Sequence, residues 1–168
     1  MGILGLISFS MRISTRGRYA LRMMLDIAKN GTTTSPVSLS AVSERTGISH
    51  GYLEQLAPAL RAARLVKSVA GRHGGYRLAA PASEISIRQI IEASIGPVCV
   101  VDCVDEPESC LRADFCECRV VYSLINQRIA QVLDDFSLED LLDPSWVHSK
   151  GGEFGHQLVK LEGPPTSR

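Results

Sequence analysis

The chain has 168 residues, of which 18 are Lys or Arg and 18 are Asp or Glu, and 45% of its composition is hydrophobic. This composition is that of a globular domain and excludes a disordered or fibrous chain. No run approaches the roughly 18 consecutive apolar residues of a membrane helix, and the apolar segment from Met1 to Met11 lacks the features of a signal peptide. No membrane association is therefore predicted, and the protein is expected in the cytoplasm.

The charges are divided unevenly along the chain. Between Met11 and Ala80 eleven Lys or Arg oppose three acids, a balance of +8, whereas between Val98 and Ser145 eleven acids oppose three Arg, a balance of −8. A basic half joined to an acidic half is typical of a module that docks a polyanion with one end. Surface charges that segregate without a function explain the same pattern equally well.

Three amphipathic helices are predicted in the basic half, because apolar residues recur there at three- and four-residue spacing. They span Thr15 to Asn30, Leu39 to Thr46 and His50 to about Arg64. Ser38 and Ser49 are expected to cap the second and third helices, and Pro58 is expected to kink the third. Since Gly47 provides a turn between these two helices, the pair is interpreted as a helix-turn-helix.

Two short β-prone runs follow, Leu65 to Val69 and Tyr76 to Leu78, and they flank the Gly-rich, basic segment Ala70 to Gly75. This pattern predicts a β-hairpin with a basic tip. A helix-turn-helix followed by a hairpin is a winged helix. The predicted fold class is therefore mainly α with a small β-hairpin, a winged helix-turn-helix that continues into a long dimerisation helix.

The dimerisation helix is predicted from about Cys118 to Phe136, where the apolar pattern covers more of a helix face than a small domain buries by itself. An ordinary core helix is the alternative. The residues expected at the dimer interface are Val121, Leu124, Ile125, Ile129 and Leu133. Before this helix, Ser86 caps a connecting helix that Gly96 and Pro97 end.

The predicted organisation has six parts. They are an N-terminal extension at 1–10, the winged helix-turn-helix DNA-binding domain at 11–80, the connecting helix at 81–97, a cysteine-rich loop at 98–118, the dimerisation helix with a short C-terminal helix at 119–143, and a tail at 144–168 that is expected to be disordered.

Several stretches of the chain together are similar to one known family. They are the opening Met11 to Ala20, the segment Gly47 to Leu56, the wing Gly71 to Leu78 and the closing run Phe136 to Leu142. These residues resemble the IscR-like winged-helix regulators of the Rrf family, and the resemblance covers roughly Met11 to Leu142. It implies a homodimeric transcription factor that binds double-stranded operator DNA. The resemblance leaves two modes of regulation. Some members of the family carry an iron-sulfur cluster on three cysteines, whereas others lack these cysteines and respond to metabolic partners.

Candidate DNA contacts lie at the start of the third helix and at the hairpin tip. They are Arg12, Ser49, His50, Gly51, Tyr52, Glu54, Gln55, Arg72 and His73. Glu54 is expected to accept from cytosine N4 and Gln55 to pair with adenine, while Arg72 and His73 suit a narrow minor groove. A solvated helix face and a plain Gly turn are the alternatives, and Tyr52 is also explained as a packing residue. Further phosphate candidates are Arg16, Arg18 and Arg22.

The five cysteines are confined to the segment Cys99 to Cys118, an odd number that does not suit a disulfide framework. Structural zinc requires pairs spaced by two to four residues, and the spacing here supplies one such pair. A thiol switch that joins Cys116 to Cys118, or Cys99 to Cys103, remains open. An iron-sulfur cluster requires thiolates on a flexible loop, which describes this acidic segment best.

The resemblance implies Cys103, Cys110 and Cys116 as the cluster ligands, with six and five intervening residues where close relatives have five and five. Cys118 and Cys99 are secondary candidates, and the nuclearity, 2Fe-2S or 4Fe-4S, stays open. Relatives complete the cluster with a His three residues after the third cysteine or with an Asp of the partner's first helix. The matching positions here are Arg119 and Arg18, and a protonated arginine cannot ligate.

The leading interpretation is a DNA-binding regulator, acting as a repressor or an activator, that senses iron-sulfur, redox or nitric oxide status. The alternatives are a cluster-free, thiol-switch or partner-regulated repressor of the same family and, further away, an iron-sulfur electron carrier or metalloenzyme. No enzyme activity is expected, because the sequence offers no nucleophile with a plausible base, no Gly-rich phosphate loop and no His cluster.

Overall fold

The computed structural model describes residues 13–145 except Thr33, together with Ser149. The predicted extension at 1–10, the candidate Arg12 and nearly all of the predicted tail lie outside the described residues. The helices and strands are α1 (Thr15–Asn30), α2 (Leu39–Thr46), α3 (His50–Ala62), β1 (Val66–Val69), β2 (Gly75–Leu78), α4 (Ile87–Ile95), α5 (Asp102–Asp105) and α6 (Glu117–Asp134). The fold class is confirmed: the described chain is mainly helical with a two-stranded hairpin. None of its helices combines the length and the apolar character needed to cross a membrane.

Helix α1 has the predicted bounds because both of its ends carry local signals. The Ser14 hydroxyl accepts a hydrogen bond from the Gly17 N–H at 3.2 Å, and the Gly31 N–H donates to the Ile27 carbonyl at 2.8 Å. Its inward face carries Ala20, Met23, Met24 and Ile27, each at most 1% exposed. This face makes α1 the centre of the winged-helix core.

The helix-turn-helix forms as predicted. Helix α2 is capped by Ser38, whose hydroxyl accepts from the Ala41 N–H at 3.2 Å, and it ends at Gly47 in the left-handed conformation with φ 70°. An ion pair ties this helix to α1, because Arg45 donates from Nε and Nη2 to the two carboxylate oxygens of Asp26 at 2.9 and 2.8 Å. This paired geometry satisfies the carboxylate, which is 8% exposed within the core.

Helix α3 ends two residues earlier than the predicted limit. Arg64 has φ 59°, a left-handed conformation that a continuing helix does not allow, and the Leu65 N–H returns to the Leu60 carbonyl at 2.9 Å. Leu65 is therefore part of the helix ending and not the first residue of β1, which begins at Val66. Pro58 lies inside α3, where its ring nitrogen has no hydrogen to donate.

The hairpin is antiparallel, with Lys67 opposite Arg77 and Val69 opposite Gly75. An isolated bridge extends it, because Val37 and Tyr76 exchange two backbone hydrogen bonds of 2.8 Å. At Gly75 a Cβ atom would collide with the backbone of Val37, so this close approach requires glycine. The bridge fixes the hairpin beside the segment that leads into α2.

Helix α4 joins the winged helix to α6. Ser86 and Gln89 form a capping box at its start, and Ile87, Ile90 and Ile91 are buried. Phe136, which was predicted to end the long helix, instead lies beyond it, and its carbonyl accepts from the Ile87 N–H at 2.9 Å. This pairing, together with the burial of Leu138, explains why α6 ends at Asp134.

Candidate nucleic-acid interface and cysteine segment

The start of α3 exposes polar side chains on one side and buries apolar ones on the other. Leu53, Leu56 and Leu60 are fully buried and hold the helix against the core. The exposed candidates are Ser49, His50, Gly51, Glu54 and Gln55. This division leaves a polar, solvent-facing surface of the kind that enters a DNA groove.

Two of these candidates interact with each other across one helical turn. His50 Nδ1 lies 3.7 Å from Glu54 Oε2, and their side chains are 47% and 61% exposed. Ser49 occupies the predicted cap position, but its hydroxyl makes no capping hydrogen bond, so the predicted cap is wrong in this respect. Apart from its own stretch of the helix, no group lies within 4 Å of where a Cβ on Gly51 would be, which leaves open space at this position for a close approach.

Tyr52 differs from the other candidates at the start of α3. Its ring is half-buried and meets the ring of Tyr19 edge to face, with 5.4 Å between the ring centroids. This contact ties α3 to α1. The placement favours the packing role that the sequence left as an alternative to DNA contact.

The hairpin tip presents Arg72 and His73 to solvent. Its turn is closed by the Gly74 N–H, which donates to the Gly71 carbonyl at 2.9 Å, and Gly71 has φ 113°. A groove of about 420 Å³ separates the tip from the start of α2 and is lined by both side chains and by Arg45. The hairpin tip therefore lies beside the helix-turn-helix, and the side chains of Arg45, Arg72 and His73 line the groove between them.

The three arginines of α1 that were expected as phosphate contacts take different positions. Arg18 is exposed and donates to Thr15 Oγ1 at 3.1 Å, and Arg22 lies 6.0 Å from the ring centroid of Tyr19. Arg16 instead donates to the backbone carbonyls of Ser94 and Gln55. Arg16 is thus an internal contact between helices, a role for which the sequence contains no local signal.

The five cysteines follow α4 and form no disulfide with one another. Cys103, Cys110 and Cys116 are half-buried, whereas Cys99 and Cys118 are exposed. The intervening chain is folded into the short helix α5 and two 3-10 turns, at Pro107–Ser109 and Ala113–Phe115, and is thus more ordered than a plain loop. Within the described residues, no three His, Cys, Asp or Glu side chains are grouped so as to hold a metal ion.

Arg119 holds this cysteine segment against the start of α6. Its Nε donates to the Cys103 carbonyl at 2.8 Å, and its Nη1 lies 3.5 Å from the Ala113 carbonyl. Arg119, at the position where the family resemblance implies a ligand, is thus a hydrogen-bond donor to the segment's backbone.

Cys99 differs chemically from an isolated cysteine. Its Sγ lies 3.0 Å from the Val101 carbonyl. Loss of solvation around the sulfur, and after it the hydrogen bond with Asp105, raises the pKa of the Cys99 thiol. The thiolate, which is the nucleophile and metal ligand, is therefore disfavoured at this position.

Helix α6 divides the predicted dimer residues into two groups. Val121, Leu124 and Ile125 are 54%, 55% and 38% exposed, and none of the α6 residues is fully buried. Ile129 and Leu133 are half-buried and line an apolar cavity of about 430 Å³ between α4 and α6. The first half of the helix therefore presents an uncovered apolar face, while the second half packs against its own chain.

A helix-turn-helix followed by a hairpin with a basic tip defines a winged-helix protein of the DNA-binding class. The family described as "Rrf2: Iron-dependent Transcriptional regulator" matches residues 13–144. IscR of Vibrio atlanticus, an HTH-type transcriptional regulator, is 40% identical over 137 residues, which are 82% of this chain and 78% of that protein. The chain belongs to the Rrf2 family of transcriptional regulators.

Solved structures show the same relationship. CymR of B. subtilis, described as its global cysteine regulator, has a TM-score of 0.64 and 36% identity, over 79% of this chain and 96% of that one. IscR of T. potens has a TM-score of 0.63 and 35% identity, over 79% of this chain and 87% of that one. These neighbours are transcriptional regulators, a class that is not enzymatic.

Proposed function

We propose that this chain is a homodimeric regulator that binds operator DNA through α3 and the hairpin tip and senses iron-sulfur, redox or nitric oxide status through an iron-sulfur cluster. The observation that carries the DNA-binding part is the exposed polar side of α3 at Ser49–Gln55, opposite its buried leucines. Because such a regulator acts on the chromosome, its place is the cytoplasm.

In this proposal the two DNA-contacting elements have different tasks. Glu54 and Gln55 have the acceptor and amide groups that read cytosine and adenine edges in the major groove. Arg72 and His73 reach an adjacent minor groove. A narrow, A/T-rich minor groove has a negative potential that attracts an arginine. Ser49, His50 and Gly51 complete the groove-facing side of the helix.

Dimerisation is proposed to use the exposed half of α6. Val121, Leu124 and Ile125 form an apolar face that a second copy covers, and two copies present two recognition helices to a two-fold symmetric site. In this assignment Ile129 and Leu133 act mainly by fixing α6 to α4 and so orient the face.

Cys103, Cys110 and Cys116 are the proposed cluster ligands. When bound, the cluster supplies an iron centre whose electronic state changes with oxidants or nitric oxide. The donor chemistry fits, because three thiols lie in one segment and Arg119 brings a positive charge to it that offsets thiolate charge. Among the described residues these three thiols are not grouped as metal ligands. Cluster binding therefore requires the short turns between the cysteines to rearrange.

A second candidate is a cluster-free regulator that responds through its thiols or a partner protein. The exposure of Cys118 favours it, since exposed thiols are the ones that oxidants reach.

Anaerobic and aerobic absorption spectra of freshly purified protein, with iron and acid-labile sulfide analysis, distinguish the two candidates. The proposal expects visible absorption, bound iron and sulfide, and an affinity for selected duplex DNA that changes when the cluster is lost. Colourless, iron-free protein whose DNA affinity changes with thiol oxidation supports the second candidate. Protein that binds no duplex in any form contradicts both.

A further inference from the structure

Arg16, in the first turn of α1, connects two other helices through one guanidinium group. Its Nε donates to the Ser94 carbonyl at 2.6 Å, and its Nη2 donates to the Gln55 carbonyl at 3.3 Å. Ser94 belongs to the last turn of α4, and Gln55 belongs to the recognition helix α3. A single cation therefore bridges the end of α4 and the turn that carries the candidate base contacts.

The end of α4 is a rigid anchor for this bridge. Carbonyls in the last turn of a helix lack helical donors and carry the negative end of the helix dipole, so a guanidinium is favoured there. Ser94 is 7% exposed and donates its own hydroxyl to the Ile91 carbonyl at 2.7 Å. Gly17 is buried, and a Cβ there would meet the Ile91 and Ile95 side chains at 3.7 and 3.8 Å. This close packing of α1 on α4 holds Arg16 in place.

The recognition helix lacks one backbone hydrogen bond next to the point where Arg16 contacts it. Pro58 has no N–H, so the Glu54 carbonyl lacks its usual partner within the helix. The turn from Glu54 to Pro58 therefore has fewer restraints of its own. Because Arg16 donates to the neighbouring carbonyl, that of Gln55, this turn has a restraint from outside the helix.

We propose that Arg16 is a positioning residue that fixes the base-reading turn of α3 relative to α4 and thereby determines sequence specificity. The inference rests on the proposed function, since it assigns Glu54 and Gln55 to base edges. Base readout requires side chains held within a fraction of an ångström. Loss of Arg16 therefore lowers the discrimination between matched and mismatched DNA, whereas loss of a phosphate contact weakens binding to every sequence alike.

The test compares Arg16→Gln with Arg18→Gln, which removes the same charge from an exposed position of the same helix. The probe is the duplex that wild-type protein selects from a random library, together with single base-pair variants of it, and affinity is measured by fluorescence anisotropy at fixed salt. Arg16→Gln is expected to lower the ratio of matched to mismatched affinity about tenfold. Arg18→Gln is expected to leave that ratio unchanged, and Arg16→Lys, which keeps the charge but has one nitrogen for two carbonyls, to give an intermediate ratio.

An unchanged ratio for Arg16→Gln protein with a native circular dichroism spectrum overturns the proposal. If Arg16→Gln does not fold, Arg16→Lys is the variant that tests the proposal. A ratio of matched to mismatched affinity equal to that of wild type in Arg16→Lys then overturns it. Wild-type protein that selects no sequence contradicts the proposed sequence-specific DNA binding and the inference with it, which separates the two failures.

Discussion

Arg119 Nε donates a hydrogen bond to the backbone carbonyl of Cys103, 2.8 Å away and sixteen residues earlier in the chain. The bond joins the start of α6 to the cysteine that lies within α5. The Arg119 side chain therefore holds the cysteine segment by the backbone of that segment, and the cysteine thiols are left available.

Replacing Arg119 with Ala is expected to loosen the cysteine segment. A hydrogen bond that involves a charged group contributes about 1.5–3 kcal/mol, and this one is partly exposed, so amide protection between Cys103 and Ala113 should fall about tenfold. Hydrogen-exchange mass spectrometry measures this change. Arg128→Ala is the control, because Arg128 is exposed and contacts Gln131 within the same helix. Equal exchange in the two variants would show that Arg119 does not restrain the segment.

The proposed ligands are tested by replacing each cysteine with Ala and reconstituting the protein anaerobically. Cys103→Ala, Cys110→Ala and Cys116→Ala should each lose visible cluster absorption, because a cluster deprived of a thiolate is unstable. Cys99→Ala and Cys118→Ala should retain it and serve as controls for cysteine loss in general. Loss of absorption in these two, with the other three dispensable, would reverse the ligand assignment.

Cys99 should react slowly with iodoacetamide at neutral pH. Because its pKa is raised, less of it is thiolate than in an unperturbed cysteine, and the rate should keep increasing as the pH rises above the ordinary cysteine pKa. Peptide mass spectrometry over a pH series, with glutathione as the reference thiol, measures this. Asp105→Asn should speed the reaction, since Asp105 stabilises the protonated thiol. A rate equal to that of glutathione throughout would contradict the expectation.

Glu54→Ala and Arg72→Ala should weaken DNA binding in different ways. Loss of Glu54 is expected to remove discrimination of about 1–3 kcal/mol at one base pair, as for other base-edge contacts. Loss of Arg72 should reduce affinity most for A/T-rich flanks and lower the salt dependence. Gel shifts over a salt series measure both effects. Glu84→Ala, at an exposed acid outside the proposed interface, is the control. If both variants bind like the control, these residues are not the DNA contacts.

The two halves of α6 should respond differently to charge. Leu124→Asp together with Ile125→Asp is expected to give a folded monomer, because both side chains are exposed within one chain and a charge there prevents a second copy from covering them. Leu133→Asp should instead lower the melting temperature, since Leu133 packs against the core of its own chain. Light scattering and thermal melting measure the two outcomes.

Gln127→Asp, at an exposed polar position of the same helix, is the control for an added charge on α6. A dimer that persists in the Leu124 and Ile125 double variant would place the interface elsewhere on the molecule.

The sequence alone predicted the winged helix because its signals are local. The bounds of α1 and α2 follow from caps and glycines within four residues of each helix end, and the leucine stripe of α3 follows from helical periodicity. The hairpin with its basic tip follows from two β-prone runs around a glycine-rich segment. Each of these patterns reports on neighbouring residues, whose geometry the backbone itself dictates.

Tertiary structure decided the features that depend on distant contacts. Arg16 bonds a carbonyl 78 residues away, and Phe136 leaves the predicted long helix to pair with Ile87. The pairing of the buried Asp26 with Arg45 is likewise decided by packing between α1 and α2. The separation of Ile125 from Leu133 into outer and inner positions likewise depends on how α4 lies against α6. These arrangements arise from packing between helices, and spacing within one helix does not encode which neighbour will cover it.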